Sequence, residues 1–173
     1  MIIDSVVLDL DHTLIYCPDN VVDVPKNSFH LKSHRVFLDG RMHVIFERPF
    51  LREFMQGLGS KKIAVWTAAS SDYADFIVHN ILVPYLLPHQ KIEFLWHRTH
   101  CSESTKKYGI LKHLELLGAK KTAIDPKRAI LIDDNTDVRN QIYLVYTIPQ
   151  FETKHLDDVQ LMSALDFIKN YDR

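Results

Sequence analysis

Two carboxylates stand two residues apart in Asp9-Leu10-Asp11-His12-Thr13, at the carboxyl end of the apolar run 5–10. In an extended chain, side chains two apart point the same way, so Asp9 and Asp11 face one spot. Carboxylates about 5 Å apart repel unless a cation or a shared proton intervenes. A hard, oxygen-seeking cation such as Mg²⁺ relieves the repulsion and also attracts phosphate. An isolated Asp-x-Asp is commonly a solvated turn, but a buried strand before it and Thr13 after it argue for chemistry. A second acidic pair, Asp133-Asp134, ends the apolar run 129–132. Two acids there cannot both be buried without a partner, and they would offer a further metal ligand. Thr67 follows the run 62–66. A hydroxyl followed by backbone N–H groups near a helix start is an anion site. A lysine before the second acidic pair (Lys106, Lys107 or Lys112) would offset the carboxylates and steady an acyl-phosphate.

These residues need a scaffold that gathers them, and the pattern of the chain predicts one. Residues 5–10, 62–66, 92–96, 129–132 and 143–148 are short apolar runs suited to buried strands. Between them lie helical patterns. Pro49 opens one that carries Phe50, Leu51, Phe54, Met55 and Leu58 and ends at Gly57 and Gly59. Ser70, Ser71 and Asp72 offer caps for a second, to about Leu82, with Tyr73, Phe76, Ile77 and Ile81 as its apolar face. A third is expected over about 104–117, capped by Gly118, with Tyr108, Leu111, Leu114 and Leu117 on one side. The last, over about 155–170, would bury Leu156, Val159, Met162, Leu165 and Ile168. Residues 17–47 differ. Asp39-Gly40 between apolar runs is a hairpin signal, because Gly takes positive φ cheaply. It predicts a small β-hairpin flap after strand one, with Phe29, His30, His34 and Phe37 read as flap packing. The alternation implies an α/β fold of Rossmann type, a parallel five-stranded sheet with helices on both faces. Ligands in such sheets sit beyond the carboxyl ends of the strands. Every acidic or hydroxyl element above follows a different strand on that edge.

The order Asp-x-Asp, Thr, Lys, Asp-Asp resembles the haloacid dehalogenase (HAD) superfamily of aspartate-nucleophile phosphotransferases, over nearly the whole chain. Arg48-Pro49-Phe50-Leu51-Arg52-Glu53-Phe54 and Trp66-Thr67-Ala68-Ala69-Ser70-Ser71-Asp72-Tyr73-Ala74 are similar to the NLI-interacting-factor group, which includes phosphatases of the RNA polymerase II C-terminal domain. Two positions depart from that pattern. Ala69 splits the usual Thr-Ala-Ser order, and His12 stands where the group usually has Glu. The stretch Lys112-His113-Leu114-Glu115-Leu116-Leu117-Gly118 resembles the group's catalytic lysine region, which favours Lys112 over Lys106 and Lys107. The resemblance implies phosphomonoester hydrolysis through an aspartyl-phosphate on Asp9, with Asp11 as general acid and then base. It implies Mg²⁺ held by Asp9, the Asp11 backbone carbonyl and Asp134 or Asp133. It also implies a phosphate held by Thr67, the Ala68 N–H and Lys112. An Asp is a poor acid at neutral pH, so its surroundings must raise its pKa or substrate binding must supply the proton.

The insertion between strand one and the first helix is too small for a cap domain, so one open domain spanning 1–173 is expected. An open site admits a phosphorylated loop or tail of a protein, on Ser, Thr or Tyr. A small-molecule phosphatase of the magnesium-dependent type, or a catalytically inactive HAD-fold binding module, are the alternatives. Receiver domains place their acids differently. His97, His100 and Cys101 lack a fourth zinc ligand at the usual spacing. The formal charge of −1 argues against a nucleic-acid partner. No basic n-region or long apolar run points to secretion or a membrane. A cytoplasmic protein (nuclear in a eukaryote), monomeric by default, is the expectation. With two cysteines, no disulfide framework is available, and Cys17 reads as a packing residue.

Overall fold

The computed structural model describes every residue except Met1, Val21, Asp23, Pro25, His155, Leu156, Asp172 and Arg173, and the side chains of Asn27 and Phe29. The flap side chain of Phe29 and the helix residue Leu156 therefore lie outside the described residues. Five parallel strands form the central sheet: β1 (Ser5–Leu8), β5 (Lys62–Trp66), β6 (Ile92–Trp96), β7 (Ala129–Asp133) and β8 (Leu144–Thr147), in the spatial order β6-β5-β1-β7-β8. The strand at the centre, β1, pairs with β5 and β7 in matching register, Leu8 beside Val65 on one side and Ile132 on the other. This is shorter than the expected 5–10, but the Asp9 N–H still donates to the Ile132 carbonyl, extending the ladder by one residue.

Alternation sorts the sheet into two faces. Val6, Leu8, Ile63, Val65, Ile130 and Ile132 pack against α1 (Leu51–Gly57), α2 (Ser71–Ile77) and α5 (Gln160–Tyr171). Val7, Ala64, Trp66, Ala129 and Leu131 face α3 (Arg98–Tyr108) and α4 (Glu115–Ala119). Side chains that continue the parity of Val7 and Leu131, namely Asp9 and Asp133, fall on the second side. After β1 the chain turns back through β2 (Ile15–Tyr16) into a separate antiparallel sheet, β2-β4-β3, made with β3 (Ser33–Leu38) and β4 (Arg41–Glu47). The expected hairpin is present. Asp39 and Gly40 both take positive φ, 51° and 74°, the conformation a two-residue turn needs to follow the strand twist. Phe37, read as packing, is 64% exposed across from Met42.

Several helix boundaries differ from the sequence pattern. α1 starts at Leu51, because Phe50 before it sits in the left-handed region (φ 66°). Gly57 is the last residue of α1, as expected, and a Cβ there would overlap Leu165 Cδ2 of α5. Gly59 (φ 62°) makes the turn out. Ser70 occupies the cap position of α2 without a side-chain cap bond, and α2 continues into a π-helical turn over Val78–Leu82. The single helix expected over 104–117 is two. Gly109, at φ 72°, ends α3, and Gly118 lies within α4 rather than capping it. Lys112 is therefore on the connecting loop and not on a helix. Two polar side chains satisfy that loop's backbone. Ser104 Oγ donates to the Ile110 carbonyl and accepts from the His113 N–H, and Gln141 bonds the Lys112 carbonyl and the Leu114 N–H. α5 begins at Gln160, later than expected, and Val159 is half exposed rather than buried. No helix among the described residues is long and apolar enough to cross a membrane.

Candidate active site

The carboxyl edge of the sheet gathers the acids. Asp9, at the end of β1, and Asp133, at the end of β7, are both buried. Between them lies the ammonium of Lys112, 2.5 Å from Asp9 Oδ1 and 2.7 Å from Asp133 Oδ2. Lys112 is 2% exposed, so its charge depends on these partners. Burial alone would push its pKa down, but the charges of Asp9 and Asp133 more than offset that and hold it above the ordinary lysine value. Lys106 and Lys107, by contrast, are exposed in the last turn of α3.

Asp9, Asp133 and Asp134 each present a carboxylate oxygen, all within 4.8 Å of one another. Three carboxylates against one ammonium leave an excess of two negative charges. Accordingly burial, and then the Asp9 charge, push the carboxyls of Asp133 and Asp134 above the usual range. The two acids of the pair are held differently. Asp133 accepts from Lys112 and from the Asn135 N–H. Asp134 is half-buried and accepts from Thr13 Oγ1 (3.2 Å) and Gln150 Nε2 (3.0 Å). Thr13 Oγ1 also lies 2.9 Å from Asp9 Oδ2 and so braces both acids.

Asp11 lies beside an open cleft of about 500 Å³. The tight loop Leu10–Ile15 is closed by bonds from the Leu14 and Ile15 N–H groups to the Leu10 carbonyl, with His12 left-handed at φ 61°. Burial raises the Asp11 pKa to about 6, against a hydrogen bond from the Tyr73 hydroxyl that lowers it. Tyr73 is a residue the helical pattern assigned to the core. Thr67 is buried one residue beyond β5, its Oγ1 accepting from the Ala69 N–H, and Ala68 and Ala69 line the cleft. Arg41 and His43 of β4, Arg98 of α3 and Cys17 line it too.

Arg48 was visible only as part of a motif. It is buried with its guanidinium forked onto both oxygens of Asp158 at 2.9 Å, and it donates to the carbonyls of Thr13 and Pro149. A lone Arg between the apolar runs 44–46 and 49–51 was the available signal. His100 stacks on Trp96, and the Cys101 thiol donates to the Thr67 carbonyl.

A parallel α/β sheet with an acidic cluster on its carboxyl edge and a small antiparallel insertion defines a HAD-type fold. A family model described as NLI interacting factor-like phosphatase matches residues 5–173, and the chain belongs to that family. The CTD phosphatase-like protein 355R of Invertebrate iridescent virus 3 is 37% identical, over 78% of this chain and 76% of that protein. Its counterpart in Invertebrate iridescent virus 6 is 28% identical over 96% and 98%. Among solved structures, that of Fcp1, an essential RNA polymerase II CTD phosphatase, superposes with a TM-score of 0.54 at 21% identity, over 97% of this chain and 50% of that one. The structural likeness establishes the fold, and the family establishes a phosphatase of HAD type.

Proposed function

We propose that the protein is a Mg²⁺-dependent phosphomonoester hydrolase that works through an aspartyl-phosphate on Asp9 and acts on phosphorylated protein. The observation that carries this reading is the convergence of Asp9, Lys112, Asp133 and Asp134 beside Asp11 at the edge of an open cleft. The donor set fits a hard divalent cation: every donor is an oxygen, and three carboxylates against one ammonium leave an excess of two negative charges. Asp9, Asp134 and the Asp11 carbonyl would hold it. Asp133, engaged by Lys112 and Asn135, acts as the lysine's anchor. When bound, the cation neutralises charge on the phosphoryl oxygens.

The remaining steps belong to the chain. An Asp9 carboxylate oxygen attacks phosphorus as the bond to the leaving oxygen breaks, and Asp11 gives that oxygen its proton. Asp11, now a carboxylate, takes a proton from water as the water attacks phosphorus, the Asp9–phosphorus bond breaks and phosphate departs. Thr67, the Ala68 N–H and Lys112 hold the phosphoryl oxygens, so positioning and charge supply most of the rate. A protein substrate is supported by the absence of a cap over the cleft among the described residues and by the names of the viral relatives. Turnover of a phosphopeptide and metabolite panel with Mg²⁺, on wild type and Asp9→Asn, tests the reading. Phosphopeptides should be preferred and Asp9→Asn inert. Phosphosugars turning over as well as phosphopeptides would replace the protein substrate with a small molecule. Wild-type rates in Asp9→Asn would remove the nucleophile assignment.

A further inference from the structure

Asp11 enters the chemistry with two oxygens that are held unequally. The Tyr73 hydroxyl donates to Oδ1 at 2.8 Å. Among the described residues no hydrogen bond to Oδ2 accompanies it. Tyr73 lies in the first turn of α2, the helix that follows the Thr67–Ala68 phosphate loop. Its ring is braced from the flap by His43, with ring centroids 5.8 Å apart. His43 is itself fixed: Arg41 Nε donates to its Nε2 (3.2 Å), which leaves the Nδ1 proton directed at Cys17 Sγ, 3.7 Å away. The phenol is thus held from two elements, and its hydroxyl meets Asp11 Oδ1 with the Cys17 thiol beside it.

We infer that Tyr73 is the positioning residue of the acid–base carboxyl: by occupying Oδ1 as a donor, it confines the transferable proton of Asp11 to Oδ2. A carboxyl whose Oδ1 accepts from a fixed O–H carries its own proton on the other oxygen, because two protons cannot share one short contact. A phenol is protonated at neutral pH, so Tyr73 is a neutral donor there. This rests on Asp11 acting as the general acid, and the experiment separates the two claims.

Leaving-group dependence is the readout, because an alkoxide needs a proton at departure and p-nitrophenolate does not. kcat/KM is measured, since it reports the first displacement alone, on a phosphoserine peptide and on p-nitrophenyl phosphate. The enzymes are wild type, Tyr73→Phe, Asp11→Asn and the double variant. Asp11→Asn should lose about 100-fold or more on phosphoserine and far less on the aryl ester. Tyr73→Phe should lose about tenfold on phosphoserine, again with a much smaller loss on the aryl ester. Added to Asp11→Asn, it should cost nothing further on phosphoserine, since the two groups act as one. Phenylalanine keeps the ring and its packing, so a merely structural role would lower both substrates alike. Equal losses on both substrates in Tyr73→Phe, no loss at all, or an additive double variant would overturn the Tyr73 assignment with Asp11 intact. Equal losses in Asp11→Asn would remove the acid assignment, and the role of Tyr73 with it.

Discussion

Lys112 Nζ lies 2.5 Å from Asp9 Oδ1, and neither side chain is more than 8% exposed. An ion pair so far from water is conditional: each charge is tolerable only while the other is present. Lys112→Met should therefore cost about 3–5 kcal/mol of stability, because Asp9 and Asp133 are left buried and uncompensated. Adding Asp133→Ala to Lys112→Met should cost less than the sum of the single changes. Urea unfolding of the four proteins checks both statements.

Asp9 is the proposed nucleophile, so Asp9→Asn removes a bond-forming atom and not merely a charge. Turnover should fall on the order of 10⁴-fold or more, on aryl and alkyl substrates alike. That indifference to leaving group separates it from Asp11→Asn. Steady-state assays at saturating Mg²⁺ measure it.

The surplus negative charge around Asp9 also links metal, protons and stability. Burial raises the carboxyls of Asp133, Asp134 and Asp11, the last to about 6. The native state then binds more protons than the unfolded chain between the ordinary carboxylate range and these raised values. Their contribution is full below the unfolded pKa and is lost as pH rises through the folded one. The metal-free protein should lose stability from this source on going from about pH 5 to about pH 8. On the proposed reading Mg²⁺ would bind the deprotonated cluster, so its stabilisation should grow over the same interval. Thermal melts with Mg²⁺ and with a chelator, at both ends, give the two slopes. A metal increment larger at the acidic end would contradict the cluster as the binding site.

Arg48 joins distant pieces of chain. Its fork on Asp158 faces the start of α5, where Asp158 also caps the Gln160 N–H, while its other donors hold the carbonyl of Thr13. Arg48→Ala should cost about 3–5 kcal/mol by stranding Asp158 in the interior. Arg48→Lys should restore little of it, since an ammonium cannot reproduce the planar fork. Denaturant midpoints report the loss. A lower kcat in Arg48→Lys at full occupancy would show that its grip on the Thr13 carbonyl reaches Asp9 through the Thr13 hydroxyl.

The primary sequence by itself determined the sheet and the edge on which the acids gather. β-branched and apolar runs with acids, or a threonine, directly after them can lie only in buried strands ending at one rim. Asp39-Gly40 likewise declares its turn, because few residue pairs accept positive φ twice. Contacts between side chains far apart in the chain were not legible. Tyr73 has the spacing of a core residue, and only the fold of the 10–15 loop puts Asp11 within reach of its hydroxyl. Lys112 sits in what periodicity reads as one helix. The break at Gly109, and the loop pinned by Ser104 and Gln141, turn its ammonium inward between two acids. Local pattern specifies which backbone hydrogen bonds form. Which buried charge meets which is settled by where separate elements pack, and that is a property of the tertiary structure alone.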